Sequence, residues 1–320
     1  MIEVEVARKR HEAVDIFSYE LVRSDGEALP SFKAGAHIDV HLPGGLIRQY
    51  SLCNAPGETH RYQIGVLREP ASSGGSVALH DQVQEGDTLA ISEPRNNFEL
   101  VADAKKTLLL AGGIGVTPLL SMAEQLSEQG MEFSFHYCGR SLDHMAFRDR
   151  IVESAYAERT EIHVDDGPQE QRLNLAEVLA EPNIGVHLYV CGPPGFIDYV
   201  LSGAKAQGWS EDQLHIEYFT ADPAVNEGGD TFEVKIASTG QTFTIPEDRS
   251  VVSVLADAGI EIQVSCEEGM CGSCVTPVIE AQGEIEHRDM FLSGKQHAEG
   301  KVFTPCCSRA EAGGVLVLDL

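Results

Sequence analysis

The 320-residue sequence has few basic side chains. Lys and Arg number 23 against 50 Asp and Glu, which gives a formal net charge of −27. A surface this acidic repels phosphate backbones and anionic lipid headgroups, so it argues against nucleic-acid and membrane partners. It suits solubility, docking to a basic partner or adaptation to high salt, and the charge alone leaves these three explanations open.

Long apolar runs are absent as well. No stretch reaches the 18 or more apolar residues that indicate a membrane-spanning helix, and residues 1–10 lack the apolar core of a signal peptide. We therefore expect a cytoplasmic protein. In that reducing compartment the eight cysteines are expected to be metal ligands or buried thiols, not disulfides.

The length and the 42% apolar content support two or three domains with cores of their own. The first hundred residues contain short alternating runs, at 1–7, 37–41 and 62–66, separated by Gly, Pro and Asp turns. Closely spaced short strands of this kind are typical of a small antiparallel barrel. We predict such a β-barrel domain over residues 1–102.

The pattern changes near residue 105. Apolar, strand-like runs at 107–111, 133–138 and 187–190 alternate with helical spacing, for example at 118–129. This alternation predicts an α/β domain with a parallel sheet, which we assign to 103–222.

A polar stretch rich in Gly and Pro follows, and residues 223–230 are predicted to be a linker. Beyond it, 231–320 form a compact segment that opens with strand-like runs at 231–237 and 241–245. This segment is predicted to be a third domain.

The third segment contains a distinctive arrangement of cysteines. Cys266, Cys271 and Cys274 are spaced C-x4-C-x2-C, and Cys306 lies 32 positions further on. This is the spacing of a plant-type [2Fe–2S] site, in which four soft, anionic thiolates complete the coordination of two iron ions. Because Cys306 and Cys307 are adjacent, spacing alone does not identify the fourth ligand.

A zinc site is the main alternative for these cysteines. Zinc usually takes two short-spaced C-x2-C pairs, and this sequence offers one such pair. The spacing therefore favours the iron–sulfur cluster. Cys53, Cys138 and Cys191 lie in other segments and are expected to be small buried residues.

A glycine-rich turn follows the apolar run at 107–111. Gly112, Gly113 and Gly115 would let a dinucleotide pyrophosphate lie against bare backbone at a helix N-terminus. We expect Thr117 to be the N-cap of that helix and Pro118 its first residue. Pro118 stands where a G-x-G-x-x-G motif has its third glycine, so a simple tight turn between strand and helix remains an alternative.

A second turn, formed by Cys191, Gly192 and Pro193, strengthens the nucleotide hypothesis. Turns of small residues at the carboxyl ends of parallel strands are where open α/β sheets bind ligands. After the predicted strand at 133–138, Arg140 could take the 2′-phosphate of NADPH, whereas Asp143 could take the 2′-hydroxyl of NADH. Both readings stay open on the residues alone.

The barrel segment contains a candidate flavin site. Arg48 and Tyr50 are two residues apart on one face of a strand, and Ser51 follows, so a guanidinium, a ring and a hydroxyl lie together. An ordinary strand with an exposed Arg would have the same pattern. A nicotinamide gives two electrons while a cluster takes one, which calls for a flavin between them. The turn that could cradle its phosphate consists of Ser73, Gly74, Gly75 and Ser76.

Taken together, the chain resembles the phthalate dioxygenase reductase family over essentially its whole length. That likeness implies an antiparallel β-barrel flavin domain, an α/β nucleotide domain and an α+β (β-grasp) ferredoxin domain. It also implies FMN as the flavin, with FAD as the alternative, and NADH as the donor. The resemblance is carried by residues 48–52 (RQYSL), 74–76 (GGS), 112–118 (GGIGVTP), 191–193 (CGP), 266–274 and 306–310 (CCSRA).

The resemblance also implies roles for single residues. Arg48 and Ser76 would contact the FMN phosphate, and Tyr50 and Ser51 the isoalloxazine. Cys191 would lie near the nicotinamide of NADH. Further implied cofactor contacts are Val66 and Phe219, with Tyr218 as the alternative to Phe219, and the fourth cluster ligand would be Cys306.

The implied partner is a separate Rieske-type oxygenase, and the chain alone is expected to be monomeric. Acidic residues near the cluster, Glu267, Glu268 and Asp289, could face a basic docking surface or could simply be solvated. Alternative functions are a reductase of a ferredoxin or cytochrome and, from another class, a redox-sensing module. We assign no catalytic acid or base, because hydride and electron transfer depend mainly on positioning.

Overall fold

The computed structural model of the chain describes residues 1–70, 74–219 and 228–320. The chain divides into two compact units, Met1–Phe219 and Thr220–Leu320. Most of the linker predicted at 223–230 lies outside the described residues, as does Ser73. In the parts of the chain that the structure describes, no helix has both the length and the apolar character needed to cross a bilayer.

The first unit opens with an antiparallel barrel, as predicted. Its strands follow one another in the order β4-β3-β6-β1-β2-β5, with β7 on β3. A bridge between Leu52 and Ile64 joins the two ends of the sheet, and the amide of Cys53 donates to the carbonyl of Gln63 at 2.9 Å. The elements are β1 (Ile2–Ala13), β2 (Ile16–Arg23), β3 (Ala36–His41), β4 (Ile47–Ser51), β5 (Tyr62–Leu67), α1 (Gly75–Gln82), β6 (Thr88–Ile91) and β7 (Arg95–Asn96).

The unit continues with a parallel sheet in the order β10-β9-β8-β11-β12, which confirms the predicted α/β domain. Apolar residues fill both faces of its central strands, as expected for parallel strands covered on both sides. The elements are β8 (Lys106–Gly112), α2 (Val116–Glu128), β9 (Phe133–Gly139), α3 (Arg148–Glu153), β10 (Thr160–Val164), α4 (Leu175–Val178), β11 (Val186–Gly192), α5 (Pro194–Ala206) and β12 (Leu214–Tyr218).

Helices α2 and α5 cover opposite faces of this sheet. Leu109 of β8 lies in the core with α2, whereas Leu108 lies in the core with α5. The core on the α2 side also includes Ala34 and Cys53 from the barrel segment. The barrel and the parallel sheet therefore share apolar core, which explains why they form one compact unit.

The second unit is a small α+β domain. Its main sheet has the order β14-β13-β19-β15-β17, in which β13 and β19 are parallel and the other pairs antiparallel. Val251 and Leu255 of α6 pack into its core. The elements are β13 (Phe232–Ile236), β14 (Thr242–Ile245), α6 (Val251–Asp257), β15 (Thr276–Gln282), β16 (Ile285–Glu286), α7 (Gly294–Glu299), β17 (Val302–Phe303), β18 (Arg309–Ala310) and β19 (Val315–Leu318).

The start of α2 differs from the prediction. Residues Gly113–Gly115 form a 3-10 turn, so that Gly115 is the N-cap and α2 begins at Val116. Thr117 therefore lies inside the first turn, where its hydroxyl donates to the carbonyl of Ile114 at 3.1 Å. The prediction that Thr117 caps the helix and that Pro118 is its first residue was wrong, because the 3-10 turn winds the chain one turn earlier.

Candidate cofactor-binding sites

Arg48 and the glycine turn before α1 lie together at one side of the barrel. Gly74 is the N-cap of α1 with φ of 88°, and a Cβ atom on Gly75 would lie 2.3 Å from Cγ of Arg48. The Arg48 side chain thus passes directly over the start of the helix. A guanidinium beside the N-terminus of a helix is a suitable environment for a phosphate. The Ser76 hydroxyl belongs to the same turn and accepts a hydrogen bond from the Glu69 amide at 3.1 Å.

Other predicted flavin contacts lie on neighbouring barrel strands. Tyr50 of β4 is half-buried against the barrel core, and this burial raises the pKa of its phenol. Val66 of β5 differs, since its side chain is buried in the core and its carbonyl oxygen lies 2.9 Å from Nε2 of His80. A role for Val66 in cofactor binding stays a prediction.

The ends of β4 and β12 meet at a polar junction. Oγ of Ser51 lies 3.2 Å from Oε2 of Glu217, although the two residues are 166 positions apart. Cys191 of β11 is fully buried and is paired with Glu217 across the parallel strands. The junction therefore joins the barrel to the carboxyl edge of the sheet.

Protonation at this junction is unusual. Burial raises the pKa of the Glu217 carboxyl to about 8, and the hydrogen bond from Ser51 only partly opposes that shift. Burial also raises the pKa of the Cys191 thiol, with a smaller contribution from Glu217. Glu217 was missing from the sequence predictions. The available signal was a carboxylate two positions before Phe219, within strand β12.

The aromatic residues at the end of β12 separate onto two faces. Tyr218 packs against the core on the α5 side, whereas Phe219 packs against the core that contains α2 and barrel residues. Glu217 and Phe219 alternate with Tyr218 along the strand, so they share a face. This arrangement favours Phe219 over Tyr218 as the aromatic neighbour of a flavin.

The two nucleotide turns are in direct contact. A Cβ atom on Gly115 would lie 2.3 Å from the carbonyl oxygen of Cys191, and one on Gly192 would lie 2.9 Å from Cα of Gly112. Pro193 is the N-cap of α5. The turns after β8 and β11 thus form one surface of nearly bare backbone beside two helix N-termini, which fits a pyrophosphate.

Thr117 and Pro118 are buried in α2 behind this surface, and Gly113 lies in the turn itself with φ of 54°. Arg140 follows β9 at the same edge of the sheet and is exposed. Asp143 lies in the next turn, so both candidates for contact with the adenosine ribose remain close in sequence and at the same edge.

In the second unit the predicted cluster ligands form two sulfur pairs. Sγ of Cys274 lies 3.3 Å from Sγ of Cys306, and Cys266 and Cys271 form the other sulfur pair. Sharing a proton with its neighbour raises the pKa of the Cys266 thiol and lowers that of Cys271. Several thiolates this close together require cationic partners, so the donor set fits two iron ions.

The cysteine loop also provides backbone donors. The amides of Glu268 and Met270 donate to Sγ of Cys266, and the amide of Ser273 donates to Sγ of Cys271, each at 3.4 Å. Hydrogen bonds to cluster sulfurs tune a reduction potential. The loop conformation is thus already suited to thiolate ligands.

The structure distinguishes the two adjacent cysteines. Sγ of Cys307 lies 3.4 Å from Oγ1 of Thr304 and 3.9 Å from Oγ of Ser308, within a buried polar group. Cys306 is half-buried and its thiol lies against that of Cys274 as well as that of Cys307. The geometry supports Cys306 as the fourth ligand.

One predicted docking residue does not fit that role. Asp289 is buried, and its Oδ2 atom accepts a hydrogen bond from the Leu292 amide at 2.7 Å while Oδ1 accepts one from Thr304 at 3.1 Å. The prediction of Asp289 as a surface acid was wrong, because this carboxylate satisfies buried donors beside the cluster loop.

Known proteins match these features. A 2Fe-2S iron-sulfur cluster binding domain model covers residues 234–311, and a model for the N-terminal domain of the dimethylamine monooxygenase subunit DmmA and its relatives covers 91–214. The chain is 51% identical to the vanillate O-demethylase oxidoreductase of Pseudomonas sp. strain HR199, over 100% of both sequences.

Solved structures agree. One is a phthalate dioxygenase reductase, described as a modular structure for electron transfer from pyridine nucleotides to [2Fe–2S], with a TM-score of 0.75, 38% identity and coverage of 100% of this chain and 98% of that one. Another is an intact type IV self-sufficient cytochrome P450 monooxygenase, with a TM-score of 0.86 and 37% identity, of which this chain spans 41%. On sequence and structure together, the chain belongs to the phthalate dioxygenase reductase family.

Proposed function

We propose that this oxidoreductase is the reductase component of a two-component Rieske-type oxygenase, and that it carries electrons from NADH through a flavin to a [2Fe–2S] cluster. The observation that carries the proposal is the junction of Ser51, Glu217 and Cys191. A phosphate cradle lies in the barrel on one side of it, and the nucleotide turns lie at the sheet edge on the other. Two cofactors bound at those places would meet at the junction.

The flavin contacts are assigned as follows. Arg48 and the N-terminal amides of α1, with Gly74, Gly75 and Ser76, hold the phosphate. Tyr50 and Ser51 border the isoalloxazine, and Phe219 packs beside it from β12. We propose FMN as the flavin, with FAD as the alternative.

For the dinucleotide, Gly112, Gly113 and Gly115 present backbone to the pyrophosphate, and Cys191, Gly192 and Pro193 line the nicotinamide end. Thr117 and Pro118 hold the turn in place from within α2. We propose NADH as the donor, with Asp143 near the ribose and Arg140 not engaged by a phosphate.

When bound, a flavin accepts hydride from a nicotinamide and releases electrons singly. The residues of the chain orient that exchange. Apolar packing around Cys191 excludes water, and Glu217 can hold a proton at its carboxyl at neutral pH. Cys266, Cys271, Cys274 and Cys306 hold the cluster that takes the electrons onward.

Three functional modules follow from these assignments, with boundaries at 1–102, 103–222 and 231–320. The electron acceptor is proposed to be a separate oxygenase, because the phthalate relative is by name the reductase of a dioxygenase. We further propose that the reductase alone is monomeric.

An anaerobic titration tests this proposal. The purified protein should have flavin and iron–sulfur absorption, and about one equivalent of NADH should bleach the flavin. Chromatography of the released flavin distinguishes FMN from FAD, and a parallel titration with NADPH tests the donor. In Arg140→Ala, turnover with NADH should stay within about threefold of wild type while any NADPH turnover falls about tenfold, since a charge-assisted contact is lost. Equal losses with both nucleotides would contradict the assignment of the ribose site.

A haem monooxygenase is the second candidate acceptor, because a type IV self-sufficient P450 contains a similar module. Turnover assays with a vanillate O-demethylase oxygenase and with a P450 haem domain separate the two candidates. Product formation with the haem domain and none with the oxygenase would favour the haem monooxygenase as the electron acceptor.

A further inference from the structure

An additional group of potential metal ligands lies at the edge of the parallel sheet, on strands β9 and β10. His136 of β9 is paired in register with Glu161 of β10, and His163 is two residues further along β10 on the same face. Both imidazoles are buried, whereas 70% of the Glu161 side chain is exposed. None of these residues has a part in the proposed electron path.

The three ligand atoms are arranged around a common point. Nδ1 of His136 lies 3.0 Å from Nε2 of His163, and Oε2 of Glu161 lies 3.9 Å from the first nitrogen and 4.0 Å from the second. The point in the plane of the three atoms that is equidistant from them is about 2.1 Å from each, close to the length of a zinc–imidazole or zinc–carboxylate bond. The two nitrogens share a hydrogen bond along the line between their ring centroids, which lie 5.3 Å apart, so a metal ion would replace that bond and the imidazoles would turn toward the ion.

The protonation states also suit a metal. Burial, and to a smaller extent His163, lowers the pKa of His136 to about 4. Burial lowers the pKa of His163 as well, against the opposing effects of Glu161 and of a hydrogen bond to the backbone of Arg172. Both rings are therefore neutral at neutral pH, the form in which imidazole coordinates metals.

His163 also makes a hydrogen bond with the backbone of Arg172. Because this hydrogen bond raises the pKa of His163, the His163 ring donates it and the backbone carbonyl of Arg172 accepts it. A metal-binding histidine usually donates its remote N–H in this way, which fixes the tautomer and the ring orientation.

We propose that His136, Glu161 and His163 bind a divalent transition-metal ion, with Zn²⁺ as the best fit, and that the ion links the edge strand β10 to β9. The exposed Glu161 provides the path from solvent. Three protein ligands leave a fourth position for water, as in many zinc sites.

Two other histidine groups in the chain differ from this one. His187 and His215 make the same 3.0 Å nitrogen contact, but within the described ranges no carboxylate or thiol completes a three-ligand group with them. His287 and His297 flank Asp289, whose oxygens already accept hydrogen bonds from the buried donors described above. The pair His187 and His215 is therefore a matched control.

Equilibrium dialysis against micromolar Zn²⁺, followed by elemental analysis, tests the site. The tag-free protein is used with its flavin and cluster loaded, so that the cluster thiolates are occupied. Wild type and His187→Gln should each retain one equivalent of Zn²⁺ more than His163→Gln. Glu161→Gln should bind that equivalent about tenfold more weakly, since one ligand of three becomes a poor one.

Thermal unfolding provides a second readout. Zn²⁺ should raise the melting temperature of wild type and of His187→Gln but not that of His163→Gln, because a ligand that binds only the folded state stabilises it. Glu161 is exposed, so Glu161→Gln remains informative should a buried histidine variant fail to fold. Equal zinc retention by wild type, Glu161→Gln and His163→Gln would overturn the proposal.

Discussion

The two units of this chain differ in how they are built to hold a cofactor. In Met1–Phe219, the candidate site is assembled from β4, the turn before α1, two turns of the sheet and the end of β12. In the second unit, three of the four proposed sulfur ligands lie in the loop between α6 and β15. The site in the first unit depends on many non-covalent contacts between residues that are distant in sequence. The site in the second unit is a compact set of proposed thiol ligands.

This difference determines how each site should respond to damage. Removing one of four thiolates leaves one iron ion a ligand short, so loss of the cluster should be nearly complete. Removing one of several hydrogen bonds or close approaches should only weaken binding, by an amount that depends on the contact. Substitutions in the two units therefore test the comparison directly.

The largest effect is expected from Cys306→Ala. We predict that this variant loses almost all iron–sulfur absorption and the electron paramagnetic resonance signal of the reduced cluster, whereas Cys307→Ala keeps both. Cys306 faces Cys274 at 3.3 Å, while Cys307 faces Thr304 and Ser308. In both variants NADH should still bleach the flavin, because the flavin site lies in the other unit. A cluster retained in Cys306→Ala and lost in Cys307→Ala would show that Cys307, not Cys306, is the fourth ligand.

A graded effect is expected from Gly75→Ala in the first unit. The added Cβ would lie 2.3 Å from Cγ of Arg48, so the flexible guanidinium side chain should move away from the start of α1. We predict about tenfold weaker flavin binding, the cost of one charge-assisted contact, measured by fluorescence titration of flavin-free protein. Gly57→Ala is the matched control, since nothing lies within 4 Å of its added Cβ. Equal affinities in the two variants would contradict the cradle.

The same contrast explains what the sequence could predict. The iron–sulfur cluster was predictable because its chemistry lies in one short motif, whereas the individual ligands, including the choice of Cys306 over Cys307, stay predictions. Alternating and continuous apolar runs predicted the barrel and the parallel sheet, since each pattern follows from which strand faces are buried.

What sequence reasoning missed depends on contacts between distant residues. Glu217 became a candidate only when its contact with Ser51, 166 positions away, was known. Asp289 was taken for a surface acid because its partners, Thr304 and Ser308, lie in a later segment. His136 and His163 attracted no attention, because neither carries a recognisable motif and only strand pairing brings them together.

A further expected effect concerns the pH dependence of stability that Glu217 causes. Its pKa is about 8 in the folded chain, against 4.5 for an ordinary glutamate. Between these pH values the folded state holds a proton that the unfolded state has released, so stability falls as the pH rises. In Glu217→Gln that dependence is absent. Relative to the variant, flavin-free wild type should therefore lose several degrees of melting temperature between pH 5 and pH 8, at about 2–4 °C per kcal/mol for a unit of this size.

Circular dichroism at several pH values measures this difference, with Glu132→Gln as a control for the loss of an exposed carboxylate. The control should follow wild type, because the Glu132 side chain is exposed and lies away from the junction. Parallel curves for wild type and Glu217→Gln would mean that water reaches the junction between β4 and β12 in the flavin-free protein. The first unit would then lack the preformed, desolvated site that distinguishes its non-covalent design from the thiol loop of the second.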